Sequence, residues 1–387
     1  MKRIIFLLII LTGCSTLTPL QRSKLITAFH LIEDKNYVEA HEFIEEMIQE
    51  EDAAQWPRTW QARGLLYQNA YQEGIRRNNR DLYELHPDQL FTAYESYEKA
   101  LDLGAGRGIR KQLTAKYVLL VNDFQKMGES RYEDEKYSEA LRAFNTAMEI
   151  REGELLNLDP DTNLVYNMAM TAIAGEKHDE AIKFLIRLDS YNYSPNISHL
   201  LFEEHIQQED TLEAVRVLEQ GISKYEKNEE LVLLLTDMYF EQGRIEESLS
   251  LLARESARSP SNYIYPFTKG LILQKTGEYK DAIQAYKRSA ELEPEDPLVY
   301  ANIATCYYNI GIEIEENART IDNNRLVMQE RERSTEALES ATTWLNKALE
   351  LETEDQKAVA IISELSSLLD ITERVDAPDD PAEETGD

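Results

Sequence analysis

The chain is short of residues that break helices. Glycine (15) and proline (11) make up 26 of its 387 residues, about 7% where roughly 12% is usual. That shortage argues against a turn-rich β protein. Cysteine is scarcer still: Cys14 and Cys306 are the whole complement, which leaves no disulfide framework. Basic residues are in deficit, with 41 Lys and Arg against 72 Asp and Glu, a formal net charge of −31. A surface of that sign is repelled by polyphosphate and offers too few cations to displace the counterions of nucleic acid, which argues against nucleic acid as a partner. The apolar run Ile4–Leu11 has eight residues, roughly 12 Å as a helix and well short of the ~20 residues needed to cross a bilayer. What remains is ample for a packed core. Apolar residues are 42% of the chain and include 21 Tyr, which argues against general disorder. The length alone would suggest two or three ordinary domains.

The first residues read as an address. Lys2 and Arg3 precede the apolar run, which ends in Leu11-Thr12-Gly13-Cys14. A charged start and a short apolar segment describe an export leader, not a membrane span. The last four residues resemble the lipobox of bacterial lipoproteins. That resemblance implies cleavage after residue 13, acylation of Cys14, and a lipidated tether over 14–20. Several acyl chains on one cysteine would anchor the protein stably, whereas one would be marginal. Losing Lys2 and Arg3 takes the balance to 39 against 72, or −33. Ser15 stands where an Asp retains some lipoproteins in the inner membrane, and Thr16-Leu17-Thr18 lacks the acids linked to surface export. By that analogy the protein is an outer-membrane lipoprotein facing the periplasm.

Internal repetition dominates the rest. Phe267–Glu295 contains Gly270, Leu273, Gly277, Tyr279, Ala282, Tyr286, Ala290 and Pro294. The small residues let two helices approach, the aromatics fill the holes between neighbouring pairs, Gly releases the chain after one helix and Pro ends the next. This pattern resembles the tetratricopeptide repeat, a 34-residue helix–turn–helix unit. The small residue of the second helix recurs at Ala181, Ala214, Ser248 and Ala282, at spacings of 33, 34 and 34. The resemblance implies an all-α protein, a right-handed α-solenoid of about eight repeats over 21–355. Repeat two (Gly64, Tyr67, then Ala93, Tyr97) and repeat eight (Ala304, Gly311, then Ala341, Leu345) carry helical insertions near 71–88 and 312–336. In repeat eight, Ile310, Ile314 and Ala318 answered by Leu338 and Ala341 predict a protruding hairpin around Asp322-Asn323-Asn324. Repeat five is the most degenerate, with Phe202 at the small first-helix position. Gly104–Gly108 reads as a flexible connector. Residues 356–373 read as a capping helix with Val359, Ile362, Leu365 and Leu369 inward, and 374–387 as a disordered acidic tail.

Catalytic constellations do not emerge. The six His are scattered, no Cys pair has metal spacing, and no His-Glu-x-x-His occurs, so neither an enzyme nor a cofactor is expected. Cys306 sits in an apolar helical stretch, suited to a small buried side chain. In the tetratricopeptide family the first helices line a groove through positions two, five, nine, twelve and thirteen of each repeat. Carried onto this chain, those positions include Gln125, Glu129, Tyr132 and Glu133; Tyr166, Met170 and Ile173; His199 and Glu203; Leu233, Asp237 and Phe240; Phe267 and Leu271; Thr305 and Tyr308. The fifth positions hold no Lys, which argues against capture of a C-terminal carboxylate. Met170, Leu233 and Leu271 equally suit packing between neighbouring first helices. Tyr166, Glu203, Asp237, Phe240, Phe267 and Tyr308 are the candidate partner-binding residues. Aromatic anchors beside carboxylates suit a basic, amphipathic protein segment. The expected function is a membrane-anchored, non-catalytic scaffold. The alternative is a nutrient- or ligand-capture lipoprotein, against which stands the placement of Trp56, Trp60 and Trp344 at core-type positions.

Overall fold

The computed structural model describes residues 18–351 and 353–376. The expected leader, Cys14, most of the expected tether and residues 377–387 lie outside the described residues. Among the described residues all regular structure is helical, and no helix is long and apolar enough to cross a membrane. The chain divides into two compact units, Met1–Gln208 and Glu209–Asp387. The division falls inside repeat five, the most degenerate in sequence.

The first unit holds α1 (Pro19–Glu33), α2 (Tyr37–Met47), one-turn α3 (Glu51–Ala54), α4 (Pro57–Arg77), one-turn α5 (Arg80–Tyr83), α6 (Gln89–Asp102), α7 (Arg107–Glu133), α8 (Tyr137–Glu152), α9 (Thr162–Ala174), α10 (His178–Ser190) and α11 (Asn196–Gln207). The second holds α12 (Thr211–Lys224), α13 (Glu229–Glu241), α14 (Ile245–Arg258), α15 (Ile264–Lys275), α16 (Tyr279–Leu292), α17 (Pro297–Ala318), α18 (Asn324–Leu349) and α19 (Gln356–Asp376). Within each unit, helices pair with their chain neighbours and stack pair upon pair, in the manner of an α-solenoid of tetratricopeptide type.

Helix pairing follows from the small residues. Ala181, Ala214, Ser248 and Ala282 are all 0% exposed, so the period read from the sequence marks the tightest contacts. Gly64, Gly128 and Gly270 on first helices face Tyr97, Phe144 and Tyr286 on second helices. A Cβ on any of the three would come within 2.3–2.6 Å of the ring, closer than packed atoms approach. The turn between helices also repeats. Lys35, Glu135, Glu176, Glu209, Gly243 and Gly277 all have φ between +55° and +82°, each two residues before its second helix. In five of these turns the next N–H bonds back to a carbonyl five residues earlier, as in Glu278 to Leu273 at 2.8 Å, which satisfies a carbonyl orphaned at the helix end. Two of the six turns use glycine; the others hold Lys or Glu in the left-handed region.

Several boundaries differ from the sequence reading. α1 begins at Pro19, inside the expected tether, with Thr18 as its cap. The expected flexible connector is a tight turn: Gly104 has φ +80° and α7 is helical from Arg107. The insertion of repeat two is helical only in part. α4 runs on to Arg77, the chain turns at left-handed Asn78, and α5 and an irregular segment return it to α6. The insertion of repeat eight is the expected antiparallel hairpin, with Ser334 Oγ donating to the Gly311 carbonyl at 2.8 Å. α19 packs on α17 and α18, and it continues to Asp376, three residues into the segment expected to be disordered. Its inward face includes Ala358 at 0% exposure, whereas Val359 is 48% exposed.

Candidate partner-binding faces

In the first unit, two successive first helices, α7 and α9, share a hollow of about 310 Å³. Glu129, Tyr132 and Glu133 line it from α7, Met170 and Thr171 from α9, and Phe144 of α8 closes its floor. Four residues chosen by register alone are thereby brought together. Tyr132 is 40% exposed, with its ring edge-on to Tyr137 at 5.5 Å. Tyr166, a turn before Met170, is half-buried and stacked on Tyr193 at 5.6 Å and 22°, so one of its faces is already covered. On α11, Glu203 is exposed and its carboxylate lies 3.3 Å from His199 Nε2, one turn away. Tyr166 and Glu203 do not line the hollow.

In the second unit, Asp237 and Phe240 stand on α13. Lys275, from the end of α15, places its Nζ 5.1 Å from the centre of the Phe240 ring. Partial burial raises the Asp237 pKa above the ordinary aspartate value, an effect opposed by the Lys275 charge and reinforced by Glu241. Lys275 occupies the thirteenth position of its repeat, so register could have found it; it brings a cation to a face expected to hold acids. Phe267 is half-buried and leans on the Tyr286 ring at 5.7 Å, and with Leu271 and Tyr308 it packs against the core. Tyr286 is fully buried and donates its hydroxyl to Gln274 Oε1 at 2.7 Å. Tyr308 lines a pocket of about 200 Å³ whose far wall is α19, through Ile361, Glu364 and Leu368. Register could not have found those residues, because α19 lies outside the repeat pattern.

A polar interface also escaped the sequence reading. Gln68 and Gln72 of α4 both donate to Asp123 Oδ2 of α7, at 3.2 and 2.6 Å, and the Tyr97 hydroxyl donates to Gln68 at 2.9 Å. Burial pushes the Asp123 pKa up, against the hydrogen bonds from Gln72 and Gln68. Burial likewise lowers that of Lys116, whose Nζ donates to Asn69 at 3.0 Å. These groups satisfy one another and close the inner side of α4. Tyr67 gathers a second cluster: its hydroxyl donates to Glu45 at 2.6 Å, His41 Nδ1 lies 2.9 Å from it, and the His86 ring is 4.8 Å away. Cys306 is fully buried, which pushes its thiol up to about 12. Among the described residues no group of three or more His, Cys, Asp or Glu is arranged to hold a metal ion.

Comparison with known proteins agrees with this architecture. Residues 205–263 match the tetratricopeptide repeat family and residues 270–311 match a TPR repeat family. These segments are tetratricopeptide repeats, which in general mediate protein–protein interaction. No curated protein matches the sequence. Among solved structures, a TPR repeats protein from Bacteroides fragilis NCTC 9343 is similar over 64% of this chain and 98% of its own, at 15% identity and a TM-score of 0.36. MamA from Desulfovibrio magneticus RS-1 is similar over 50% of this chain and 97% of its own, at 14% identity and a TM-score of 0.35. Likenesses this distant carry no inference about function.

Proposed function

We propose that the protein is a non-catalytic scaffold of the bacterial cell envelope, tethered by acylated Cys14 to the periplasmic side of the outer membrane. It takes a basic, amphipathic segment of a partner protein on the inner faces of its helix pairs. One observation carries this reading: part-exposed aromatics at the groove positions of first helices, with carboxylates close by. Tyr132 lies between Glu129 and Glu133 in one hollow, and Phe240 stands one turn from Asp237. Flat rings supply contact area at low entropic cost, and the acids select the sign of the partner. Asp237 suits that role, since a partly desolvated carboxylate gains from a cationic neighbour. The lipobox pattern supports the anchor.

A photo-crosslinking residue at Phe240 or Tyr308, introduced in the native cell, tests the partner claim. A covalent adduct with the same protein from both sites is the expected result. Adducts with glycan or lipid alone would favour the ligand-capture alternative. Metabolic labelling with an alkyne fatty acid tests the anchor, because label retained in Cys14→Ala would remove it.

A further inference from the structure

The geometry points to a second docking site, separate from the inner faces: a cleft between the turn of repeat seven and the projecting α17–α18 hairpin, shaped for a basic amphipathic helix of a partner protein. The argument begins with lengths. α15 and α16 have 12 and 14 residues, whereas α17 and α18 have 22 and 26. At 1.5 Å per residue, α17 outreaches its neighbour by about 15 Å, or two to three helical turns. In a stack of helix pairs each helix is flanked by others of similar length. Beyond the Gly277 turn, α17 keeps α18 beside it but has no repeat-seven helix at its flank.

The step so formed is a cleft of about 710 Å³, with Tyr279, Tyr307, Ile310 and Ile314 presenting apolar surface into it. Tyr307, Ile310 and Ile314 follow helical spacing and are each part-exposed; Tyr307 and Ile310 rest one side on the core, and the stripe runs on to Ile314 beyond it. Charge decides the occupant. Glu278, Asp281, Glu313 and Glu336 line the rim, and among the described residues none of these four carboxylates has a cation within 4.0 Å. Two other acids of the hairpin are matched: Glu315 lies 3.6 Å from Arg331, and Glu330 lies 2.8 Å from Arg333. Arg333 and exposed Lys280 line the cleft too, but the Arg333 guanidinium is held by Glu330, and the lining keeps more acids than cations. Four unpaired carboxylates around an apolar stripe fit a helix with apolar residues at i, i+3, i+4 and i+7 and Lys or Arg along its edges. The acidic tail of this chain has the wrong sign for the site.

The test uses the full mature chain and a synthetic 15-residue Leu/Lys amphipathic helix, with a Leu/Glu twin as control. Binding is read by fluorescence anisotropy at physiological salt, and its position by hydrogen exchange. The Lys peptide should protect residues 307–317 and 333–340, and the Glu twin should not bind. Glu313→Lys with Glu336→Lys should weaken binding about tenfold or more, by the reversal of two rim charges. The same charge change at exposed Glu39 and Glu42, remote in sequence, should alter it less than about twofold. Ile314→Asp should abolish binding while leaving the helical circular dichroism unchanged. Equal weakening by both charge-reversal pairs would mean non-specific attraction and overturn the proposal. So would protection confined to α13 and α15, which would assign the peptide to the inner face. A dimer of the peptide-free chain broken by Ile314→Asp would assign the cleft to a second copy instead.

Discussion

In repeat two the insertion folds back onto the helix pair; in repeat eight it extends the pair outward. α4 overruns to Arg77, turns at left-handed Asn78 and is closed by α5, with Gly74 pressed against the backbone of Tyr83. α17 and α18 instead continue side by side, and Gly311 meets the Leu338 side chain. The inner side of α4 is filled by its own amides and Asp123, whereas α17 leaves Tyr308 lining one pocket and Tyr307 another. Both insertions give the same first signal, a small second-helix residue arriving late. The outcome depends on whether the inserted sequence keeps helical periodicity. Ile310, Ile314 and Ala318 keep it; Asn78-Asn79 and His86-Pro87-Asp88 break it. Folding back consumes polar groups, and extension leaves surface for others.

This contrast can be broken by experiment. The largest effect is expected at Gly74. A Cβ there would lie 2.5 Å from the Tyr83 nitrogen and 3.0 Å from the Asn79 carbonyl oxygen. Backbone cannot rotate aside, so Gly74→Ala should cost about 1–3 kcal/mol in a denaturation midpoint analysis. Gly311→Ala meets the Leu338 side chain at 2.9 Å and gains about 1 kcal/mol of helix propensity, so its net effect should stay within about 1 kcal/mol. Equal losses would mean the two insertions are held alike.

The closed interface of repeat two should also show itself in pH dependence. Burial raises the Asp123 pKa in the fold, so the folded state binds this proton more tightly than the unfolded one. Wild type therefore loses stability through Asp123 as pH rises above its unfolded value of about 3.9. Asp123→Asn lacks that loss, and its stability relative to wild type should improve from about pH 4 to pH 7. A difference flat across that range would show that Asp123 is as well solvated as an exposed acid.

In repeat eight, Ile314→Ala should cost under about 1 kcal/mol, because its outer flank has no neighbour to lose. A larger loss in urea denaturation would show that the cleft is already filled. A repeat without an insertion supplies the baseline: Glu135 sits at φ +60°, and Glu135→Gly should raise stability by a few tenths to about 1 kcal/mol. No gain in melting temperature would mean that the turn carries no strain to relieve.

The features legible from sequence were those that recur. Ala181, Ala214, Ser248 and Ala282 announced the helix contacts because each repeat solves the same packing problem with the same residue type. Only the structure paired Gly64, Gly128 and Gly270 each with an aromatic ring of the second helix. Features occurring once were harder to see. The helical start of α7 at Arg107 was hidden by three nearby glycines, and Ala358 rather than Val359 faces the core because α19 follows no register. Gln68 and Asp123 are 55 residues apart, and nothing local marks either as half of a buried pair. Of the candidate binding residues, register placed Glu129, Tyr132, Glu133 and Met170 around one hollow, but it gave no warning that Tyr193 covers a face of Tyr166 or that Lys275 stands against Phe240.

The amino-acid sequence by itself determined that the chain is helical, that its unit is a helix pair of about 34 residues, and where two of those units are interrupted. These properties are local, set by small and apolar side chains at helical spacing. Tertiary structure alone decided which polar groups are spent on one another and which carboxylates remain without a cation. Those outcomes depend on neighbours brought together across tens of residues, and on a flank where a long helix outruns the shorter pair beside it.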